Sequence, residues 1–265
     1  MLNFKKVMAA MVGCMLFAAF ASGCGDDAKD SSSKAESSSE SSSAVSSEAV
    51  NFTAPEIGEE IAVITIKDYG DIKVKLFPKQ AEKGVENIVA LSKDGYYDGL
   101  IFHRIINDFM IQSGDPLGTG MGGESTWGDK FDGGTSSELV HAAGAVAYAN
   151  SGSTATDGSQ FYIVTGTKYD DETLSQMESA YGITFSDSQR EIYTNDGGTP
   201  WLDGSYTIFG QVFDGLDKVF EIQQVQTDAN DKPETDVVIE KISIEKYNGE
   251  DVKFHISDYR YRYSH

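Results

Sequence analysis

The feature that most constrains the fold is a series of short strand-like segments separated by turns. Residues 71–77 alternate apolar and polar side chains strictly and follow residues 61–67 across a short turn, which predicts a hairpin with one solvated face. Six similar segments follow, at 100–106, 109–113, 145–149, 160–165, 207–212 and 237–247. Only residues 81–93 and 215–225 have the pattern of substantial helices. With 27 glycines, this favours a mainly β fold, a closed eight-stranded antiparallel barrel capped by two helices.

The N-terminus has the pattern of an export signal. Lys5 and Lys6 precede an apolar stretch at residues 7–21, which is short for a membrane span of about 20 residues but normal for a signal peptide. The following Ser22-Gly23-Cys24 resembles a bacterial lipobox, although Ala21 stands where Leu is more usual. That resemblance implies cleavage after residue 23 and lipidation of Cys24. The alternative is an ordinary signal peptide with a chance cysteine.

The domain organisation follows from a change in composition. Residues 24–56 are dominated by Ser, Glu, Asp, Lys and Ala, which predicts a disordered tether reaching on the order of 30 Å. We therefore expect a folded domain at 57–248 that contains an insertion at 167–200, and a C-terminal extension at 249–265. The tail carries Tyr and Arg residues and is expected to form an extra strand or to pack on the domain.

Charge and cysteine content exclude several functions. The net charge of -21 argues against binding nucleic acid and against electrostatic docking on anionic lipid. The only cysteines are Cys14 and Cys24, so the folded domain has no disulfide, thiol nucleophile or cysteine-based zinc site. No metal-binding sequence pattern is present, and we expect no cofactor and no metal. The expected location is extracytoplasmic, on the bacterial cell membrane through the lipid alone, with the domain a monomer.

The segment most informative about function is residues 102–115. Arg104 lies in an apolar run, and a permanent charge is costly to bury without a partner. This predicts a hydrophobic cleft with one cationic donor, suited to a neutral ligand that contains an amide. The alternative is a structural ion pair of Arg104 with Asp115 or another acid. His103 alternates to the opposite strand face and is expected to be a packed or capping histidine.

Four motifs in the same order resemble the cyclophilin family of peptidyl-prolyl cis-trans isomerases. They are residues 102–115, 148–150, 157–163 and 201–210, and the resemblance covers about 61–247. It implies a cyclophilin-like barrel and cis-trans isomerisation of X-Pro bonds. The sequence Gly118-Thr119-Gly120-Met121-Gly122-Gly123 satisfies GxGxxG, but no helix follows, and we interpret it as a glycine-rich loop beside the groove.

The resemblance implies a role for each matched residue. The catalytic residue would be Arg104. The proline pocket would be lined by Phe109, Met110, Tyr162 and Leu202. The substrate backbone would be bound by the side chains of Gln112 and Gln160 and by the main chain of Ala149 and Asn150. The rim would be formed by Trp201 and Tyr206. Tyr162 replaces the usual Phe and Tyr206 a frequent His, so we expect altered selectivity with activity retained.

These residues suit catalysis of amide rotation, because no covalent bond breaks in that reaction and neither a nucleophile nor a metal is required. The barrier of about 18–20 kcal/mol reflects the partial double bond, and a donor aimed at the prolyl nitrogen favours the twisted amide. Two other functions remain open: a proline-peptide holdase with weak catalysis, and a lipoprotein that captures solutes, which the single small domain fits less well. The expected clients are proline-containing exported or surface proteins, and the rim tryptophan implies binding of cyclosporin-like ligands unless the insertion blocks them.

The insertion has its own helical pattern. Leu174, Met177 and Tyr181 lie at helical spacing, and residues 186–189 resemble a capping box. We expect one or two short helices flanking the groove near the rim and restricting which residues follow the proline. A neutral surface elaboration is the alternative.

Overall fold

The computed structural model describes residues 49–259 of the chain. The predicted signal peptide, the lipidation site Cys24, most of the tether and the last six residues of the tail lie outside the described residues. Within the described range, no helix combines the length and the apolar character that crossing a bilayer requires.

Eight antiparallel strands form one sheet, as the segment pattern predicts. Their order across the sheet is β3-β4-β6-β5-β7-β2-β1-β8. The bounds are β1 Glu60–Ile66, β2 Gly70–Leu76, β3 Arg104–Ile106, β4 Met110–Ser113, β5 Ala145–Tyr148, β6 Phe161–Val164, β7 Ile208–Asp214 and β8 Ile239–Lys246. The long partners β1, β2 and β8 form the regular side of the sheet, and the short β3, β4, β5 and β6 form the side on which the candidate site lies.

The sheet curls, but continuous closure into a barrel is not confirmed. In the described chain, β3 and β8 are the two ends of the strand order, and they are not paired as strands. The gap is bridged by the segment before β3, where the Phe102 amide donates to the Val237 carbonyl at 2.9 Å and Ile101 forms one isolated bridge with Val238. Because β3 is only three residues long, it ends the ladder before full pairing with β8 is possible.

The described residues contain four α-helices. The sequence predicted two helices that cap the barrel and one or two short helices in the insertion. The bounds of the four helices are α1 Glu82–Lys93, α2 Asp171–Tyr181, α3 Asp187–Asn195 and α4 Leu216–Ile222. The predicted capping box begins α3, since the Ser186 hydroxyl accepts from the Gln189 amide and the Gln189 side chain accepts from the Ser186 amide. Gly182, with φ +67°, ends α2 in the left-handed conformation that a residue without Cβ adopts readily.

The main core lies between α1 and the inner face of the sheet. Val85, Ile88 and Leu91 recur at helical spacing on the buried face of α1. They pack in one cluster with Ile64, Val74, Val146, Phe161, Phe209 and Ile242 from the strands. Truncating a residue of such a core typically costs about 2–5 kcal/mol, so this cluster is the main source of a rigid sheet.

The packed part of the chain begins earlier than the predicted boundary at residue 57. Asn51 is fully buried, and its amide donates to the Val140 carbonyl at 2.9 Å and to Gln211 Oε1 at 3.0 Å. Phe52 packs against Phe254 with ring centroids 5.6 Å apart. The segment is too short to show a periodic pattern, and the buried Asn51, whose amide has three hydrogen-bond partners, lies between Val50 and Phe52. Residues 49–56 are therefore corrected from tether to domain.

The C-terminal extension packs on the domain as far as the structure describes it. Phe254 is buried, and the Tyr259 hydroxyl accepts from the Leu216 amide at 3.1 Å, at the start of α4. Burial raises the pKa of Tyr259 well above its usual value, so the hydroxyl stays protonated and can also donate to the Lys253 carbonyl. The described tail is thus a packed segment without an added strand.

Candidate active site

Three of the predicted site residues lie directly opposite one another on neighbouring strands. Arg104 in β3 pairs with Gln112 in β4, and Gln112 pairs with Tyr162 in β6. Directly opposite residues project to the same face of a sheet, and residues two apart on one strand do so as well. Met110 therefore joins the same face. Strand register alone places a cation, an amide and two large side chains side by side.

Arg104 remains partly accessible on this face. Its side chain is 32% exposed and forms an ion pair through Nε, 3.6 Å from Asp231 Oδ2. The two terminal amino groups of the guanidinium are not used by that contact. The predicted alternative of an ion pair with Asp115 or another acid is confirmed for Asp231 and not for Asp115, whose carboxylate accepts backbone hydrogen bonds from its own loop. A cation that keeps donors free can act on a bound amide.

The glycine-rich segment is a loop, as interpreted from the sequence, and Asp115 organises it. Its carboxylate accepts from the amides of Leu117 at 2.8 Å, Thr119 at 2.9 Å and Gly120 at 2.6 Å. Burial alone would raise the pKa of Asp115, but these hydrogen bonds to the charged form outweigh it and lower the pKa. His103 is buried on the other face, as expected for a packed histidine, and burial lowers its pKa.

Two glutamines connect the sheet to this loop. Gln112 Nε2 donates to Gln160 Oε1 at 2.9 Å, and Gln160 Nε2 donates to the Gly122 carbonyl at 2.7 Å. The backbone carbonyl of Gln160 accepts from the Ala149 amide at 2.9 Å. Both side chains are half-buried, and these hydrogen bonds fix the positions of their amide groups. This geometry suits hydrogen bonding to an extended peptide.

An apolar cluster lies next to the polar row. Met110 and Tyr162 are buried in it and form its floor. Around them pack the half-buried side chains of Phe109, Ala149, Leu202 and Tyr206. Trp201 lies at the rim and stacks on Phe109, with ring centroids 6.1 Å apart and planes inclined by 25°. The structure therefore brings together on one face the apolar residues that the sequence assigned to the proline pocket.

The loop before β6 is held by a buried carboxyl group. Asp157 Oδ2 lies 2.6 Å from the Thr207 hydroxyl, which is also 2.8 Å from the Gly134 carbonyl. A hydroxyl has one hydrogen to donate, so both contacts are satisfied at once when Asp157 is protonated and donates to Thr207. Burial raises the pKa of Asp157 to about 7, although the Thr207 hydroxyl can instead donate to the ionised carboxylate, which opposes this rise. The neighbouring Asn150 caps a turn by accepting from the Gly152 amide at 3.0 Å.

Three residues at the site were missed by the sequence argument. His141 Nε2 lies 3.0 Å from the Tyr162 hydroxyl, and its Nδ1 lies 2.8 Å from Asp203 Oδ1. Tyr193 of α3 donates to Asp203 Oδ2 at 2.5 Å. Asp203 could have been noticed, because it belongs to the Trp201-Leu202-Asp203-Gly204 motif. His141 and Tyr193 give no local signal, since they meet Asp203 only through the tertiary fold.

The insertion lies against the rim residue. Tyr169 meets Trp201 edge to face with ring centroids 6.4 Å apart. Leu174, Met177, Phe185 and Tyr193 form the buried cluster beneath them. A cavity of about 310 Å³ lies between α2 and α3, but its lining of Asp171, Asp187, Arg190 and Glu191 is charged and contains none of the predicted site residues. The roles assigned to the site residues stay predictions, whereas their clustering is observed.

In the described range, no group of three or more His, Cys, Asp or Glu side chains is placed to hold a metal ion. The arrangement instead combines a cationic donor, two amide side chains and an apolar floor on a curled antiparallel sheet. This combination defines the class. The sequence model of the family described as "Cyclophilin type peptidyl-prolyl cis-trans isomerase/CLD" matches residues 61–244. The chain belongs to this family and is a peptidyl-prolyl cis-trans isomerase.

Individual relatives agree with that class. A protein of Staphylococcus epidermidis named as a peptidyl-prolyl cis-trans isomerase is 46% identical over 187 residues, which cover 71% of this chain and 93% of the relative. A Staphylococcus aureus protein of the same name has the same identity and coverage. Among solved structures, a cyclophilin-type isomerase of Cryptosporidium parvum is 32% identical with a TM-score of 0.57 and covers 71% of this chain and 98% of its own. The same protein solved in the presence of the dipeptide Ala-Pro is 33% identical, with a TM-score of 0.56, and covers 71% and 99%.

Proposed function

We propose that the protein isomerises X-Pro bonds by donating a hydrogen bond from Arg104 to the prolyl amide nitrogen in the groove. The observation that carries this proposal is the row formed by Arg104, Gln112 and Tyr162, with terminal guanidinium donors unused by the ion pair to Asp231. Met110 and Phe109 would hold the proline ring. Gln112 and Gln160 would bind the peptide backbone.

The chemistry requires only that the twisted amide bind better than the planar one. Uncatalysed isomerisation takes tens of seconds, and reaching milliseconds requires lowering the barrier by roughly 5–6 kcal/mol. One preorganised cationic donor and correct positioning of the peptide can supply this free energy. A guanidinium group is a permanent cation in proteins, and an apolar surrounding strengthens its effect on the prolyl nitrogen.

We further propose that the clients are proline-containing segments of exported or surface proteins. The cyclophilin of Cryptosporidium parvum was solved in the presence of the dipeptide Ala-Pro, which supports a proline-containing peptide as the ligand. The N-terminal pattern supports an extracytoplasmic enzyme anchored through Cys24. Cyclosporin-like ligands are proposed inhibitors because Trp201 forms the rim, with Tyr169 of the insertion as the group that would obstruct so large a molecule.

The mechanism is tested by the substitution Arg104→Ala, measured on a proline peptide in a protease-coupled assay. We expect kcat/KM to fall by about 100-fold or more, since a charge-assisted donor to the transition state is lost. The free energy of unfolding should change by less than about 1 kcal/mol, because the side chain is partly exposed. Arg104→Lys keeps the charge but not the planar fork and should recover only part of the activity.

The matched control removes the partner and keeps the cation. Asp231 has φ +63°, and Asn tolerates this left-handed conformation, so Asp231→Asn breaks the ion pair without backbone strain. A catalytic Arg104 predicts that Asp231→Asn keeps most activity. If Asp231→Asn and Arg104→Ala reduce activity equally, the arginine is structural. If the wild type and both variants bind proline peptides with the same affinity and none of them shows turnover, the protein is the holdase.

The anchor is tested in bacterial cells that produce the full chain. Labelling with a radioactive fatty acid should mark the wild type, and Cys24→Ala should abolish both the label and retention in the membrane fraction. Cys14→Ala is the control, since that residue lies within the apolar stretch that would be cleaved away. Labelling of Cys24→Ala at the wild-type level would overturn the anchor.

A further inference from the structure

A buried chain of side chains connects the floor of the groove with the insertion. It runs from Tyr162 through His141 and Asp203 to Tyr193, with contacts of 3.0, 2.8 and 2.5 Å. His141 and Tyr193 are fully buried, and Tyr162 is 4% exposed. The Asp203 carboxylate also accepts from the backbone amide of His141 at 2.8 Å. Every polar group in the chain thus has a partner, as a stable buried network requires.

The directions of the hydrogen bonds are fixed by chemistry. A carboxylate only accepts, so His141 Nδ1 carries the hydrogen donated to Asp203, and in the neutral imidazole Nε2 accepts from the Tyr162 hydroxyl. Burial, and then the charge of Asp203, raise the pKa of Tyr193, so that its hydroxyl remains a donor. Burial also raises the pKa of Tyr162, which argues against Tyr162 as an activated nucleophile.

Each end of the chain belongs to a different part of the groove. Tyr162 lies in β6 and forms the apolar floor. Asp203 directly follows the 3-10 turn Pro200–Leu202, which carries the rim residue Trp201 and the wall residue Leu202. Tyr193 lies in α3 of the insertion. The single carboxylate of Asp203 therefore ties together a strand, a rim turn and an inserted helix.

We propose that Tyr193, Asp203 and His141 are positioning residues through which the insertion holds the rim turn and the Tyr162 ring in place for proline binding. This inference rests on the proposed use of the groove for X-Pro peptides. It gives the insertion a specific role, because α3 supplies the hydrogen bond that fixes the turn carrying Trp201 and Leu202. The peptide residue after the proline is then selected by its fit to Trp201. The contact of Tyr169 with Trp201 adds a second link between the same elements.

The first test follows the rim without using catalysis. The sequence has two tryptophans, so Trp127→Phe leaves Trp201 as the single indole reporter. In that background, Tyr193→Phe removes one hydroxyl, and we expect acrylamide quenching of Trp201 to increase about twofold as the turn loosens. Tyr247→Phe is the control, because it removes the hydroxyl of another buried tyrosine, which donates to the Glu250 carbonyl in a cluster formed with the C-terminal segment. Quenching of Trp201 that is the same in Tyr193→Phe and Tyr247→Phe overturns the proposal.

The second test measures the coupling on catalysis. At a temperature where all variants are folded, Tyr193→Phe should lower kcat/KM about three- to tenfold, the range expected for one buried hydrogen bond, mainly by raising KM. The loss should depend on the residue after the proline. Tyr162→Phe breaks the other end of the chain, and the double variant should lose less than the product of the two single losses. The coupling is overturned if the loss of kcat/KM in the double variant equals the product of the two single losses. It is also overturned if the preference for the residue after the proline is the same in Tyr193→Phe as in the wild type. If the wild type failed to isomerise proline peptides, the proposed function would be contradicted. The quenching test needs no turnover, so it would still decide whether Tyr193 positions the rim turn.

Discussion

The two sides of the groove are held by different interactions. On one side, Arg104, Met110, Gln112 and Tyr162 lie on neighbouring strands, and backbone pairing sets their positions. On the other side, Ala149, Asn150, Trp201, Leu202 and Tyr206 lie in loops and turns. Those segments are held by side-chain hydrogen bonds to two acids, the buried Asp157 for one loop and the half-buried Asp203 for the rim turn.

This difference predicts where a substitution should change the free energy of unfolding and where it should change only catalytic activity. A half-buried side chain on the strand side, such as Arg104 or Gln112, can be truncated without losing a backbone hydrogen bond, so the sheet persists. A supporting side chain on the loop side cannot, because its removal leaves buried donors or acceptors without partners. The comparison therefore predicts that effects on unfolding shrink from the loop side to the strand side.

The largest effect is expected for Asp203→Ala. This change leaves the Tyr193 hydroxyl and His141 Nδ1 buried without their acceptor, which should lower the free energy of unfolding by about 2–4 kcal/mol. Denaturant unfolding followed by circular dichroism measures it. Asp203→Asn keeps one acceptor oxygen and should lose less than half as much. Equal losses in both variants would contradict the assignment of the stability to these hydrogen bonds.

The second effect concerns the pH dependence set by Asp157. Its pKa is raised from about 4 in the unfolded chain to about 7 in the folded protein, so the folded state binds an extra proton between these values. Stability from this group is complete below about pH 4, falls as the pH rises through 7, and is lost above it. We expect the wild type to be less stable at pH 8 than at pH 5 by roughly 1–3 kcal/mol from this group.

Asp157→Asn supplies a permanent amide donor to Thr207 in place of the protonated carboxyl. It should flatten that pH dependence and raise stability at pH 8, as measured by denaturant titrations at both pH values. Asp132→Asn is the control, since Asp132 lies nearby but is exposed. A wild-type slope between pH 5 and 8 that survives in Asp157→Asn would show that another group titrates.

The smallest effect on folding is expected on the strand side, for Gln112→Ala. The half-buried amide donates to Gln160, and its loss should change the free energy of unfolding by no more than about 0.5 kcal/mol. The kcat/KM for a proline peptide should fall about fivefold, because one hydrogen bond to the substrate is lost. Gln224→Ala, which removes an exposed amide bonded to Asn107, should leave both quantities unchanged. A large loss of stability in Gln112→Ala would remove the distinction between the two sides.

Much of the strand side could be anticipated from the sequence. Alternation located the strands, and once β3 and β4 form a tight hairpin, Arg104 and Gln112 must face the same way. The loop side could be assigned only by resemblance. Its supports, His141 and Tyr193, are separated by about fifty residues and have no pattern of their own. The packed segment at Asn51 was missed for the same reason, because one buried amide leaves no periodic signal.

The sequence by itself determined the eight strands, the helix cap at Ser186, the family and the residues that the structure brings together at the candidate site. These features depend on local periodicity and on short motifs, both of which can be read along the chain. Only the tertiary structure decided which acid meets Arg104, how the sheet ends are bridged, and that Asp203 joins the insertion to the groove floor. Those contacts depend on side-chain geometry between distant segments, where a shift of about one ångström decides whether a hydrogen bond forms.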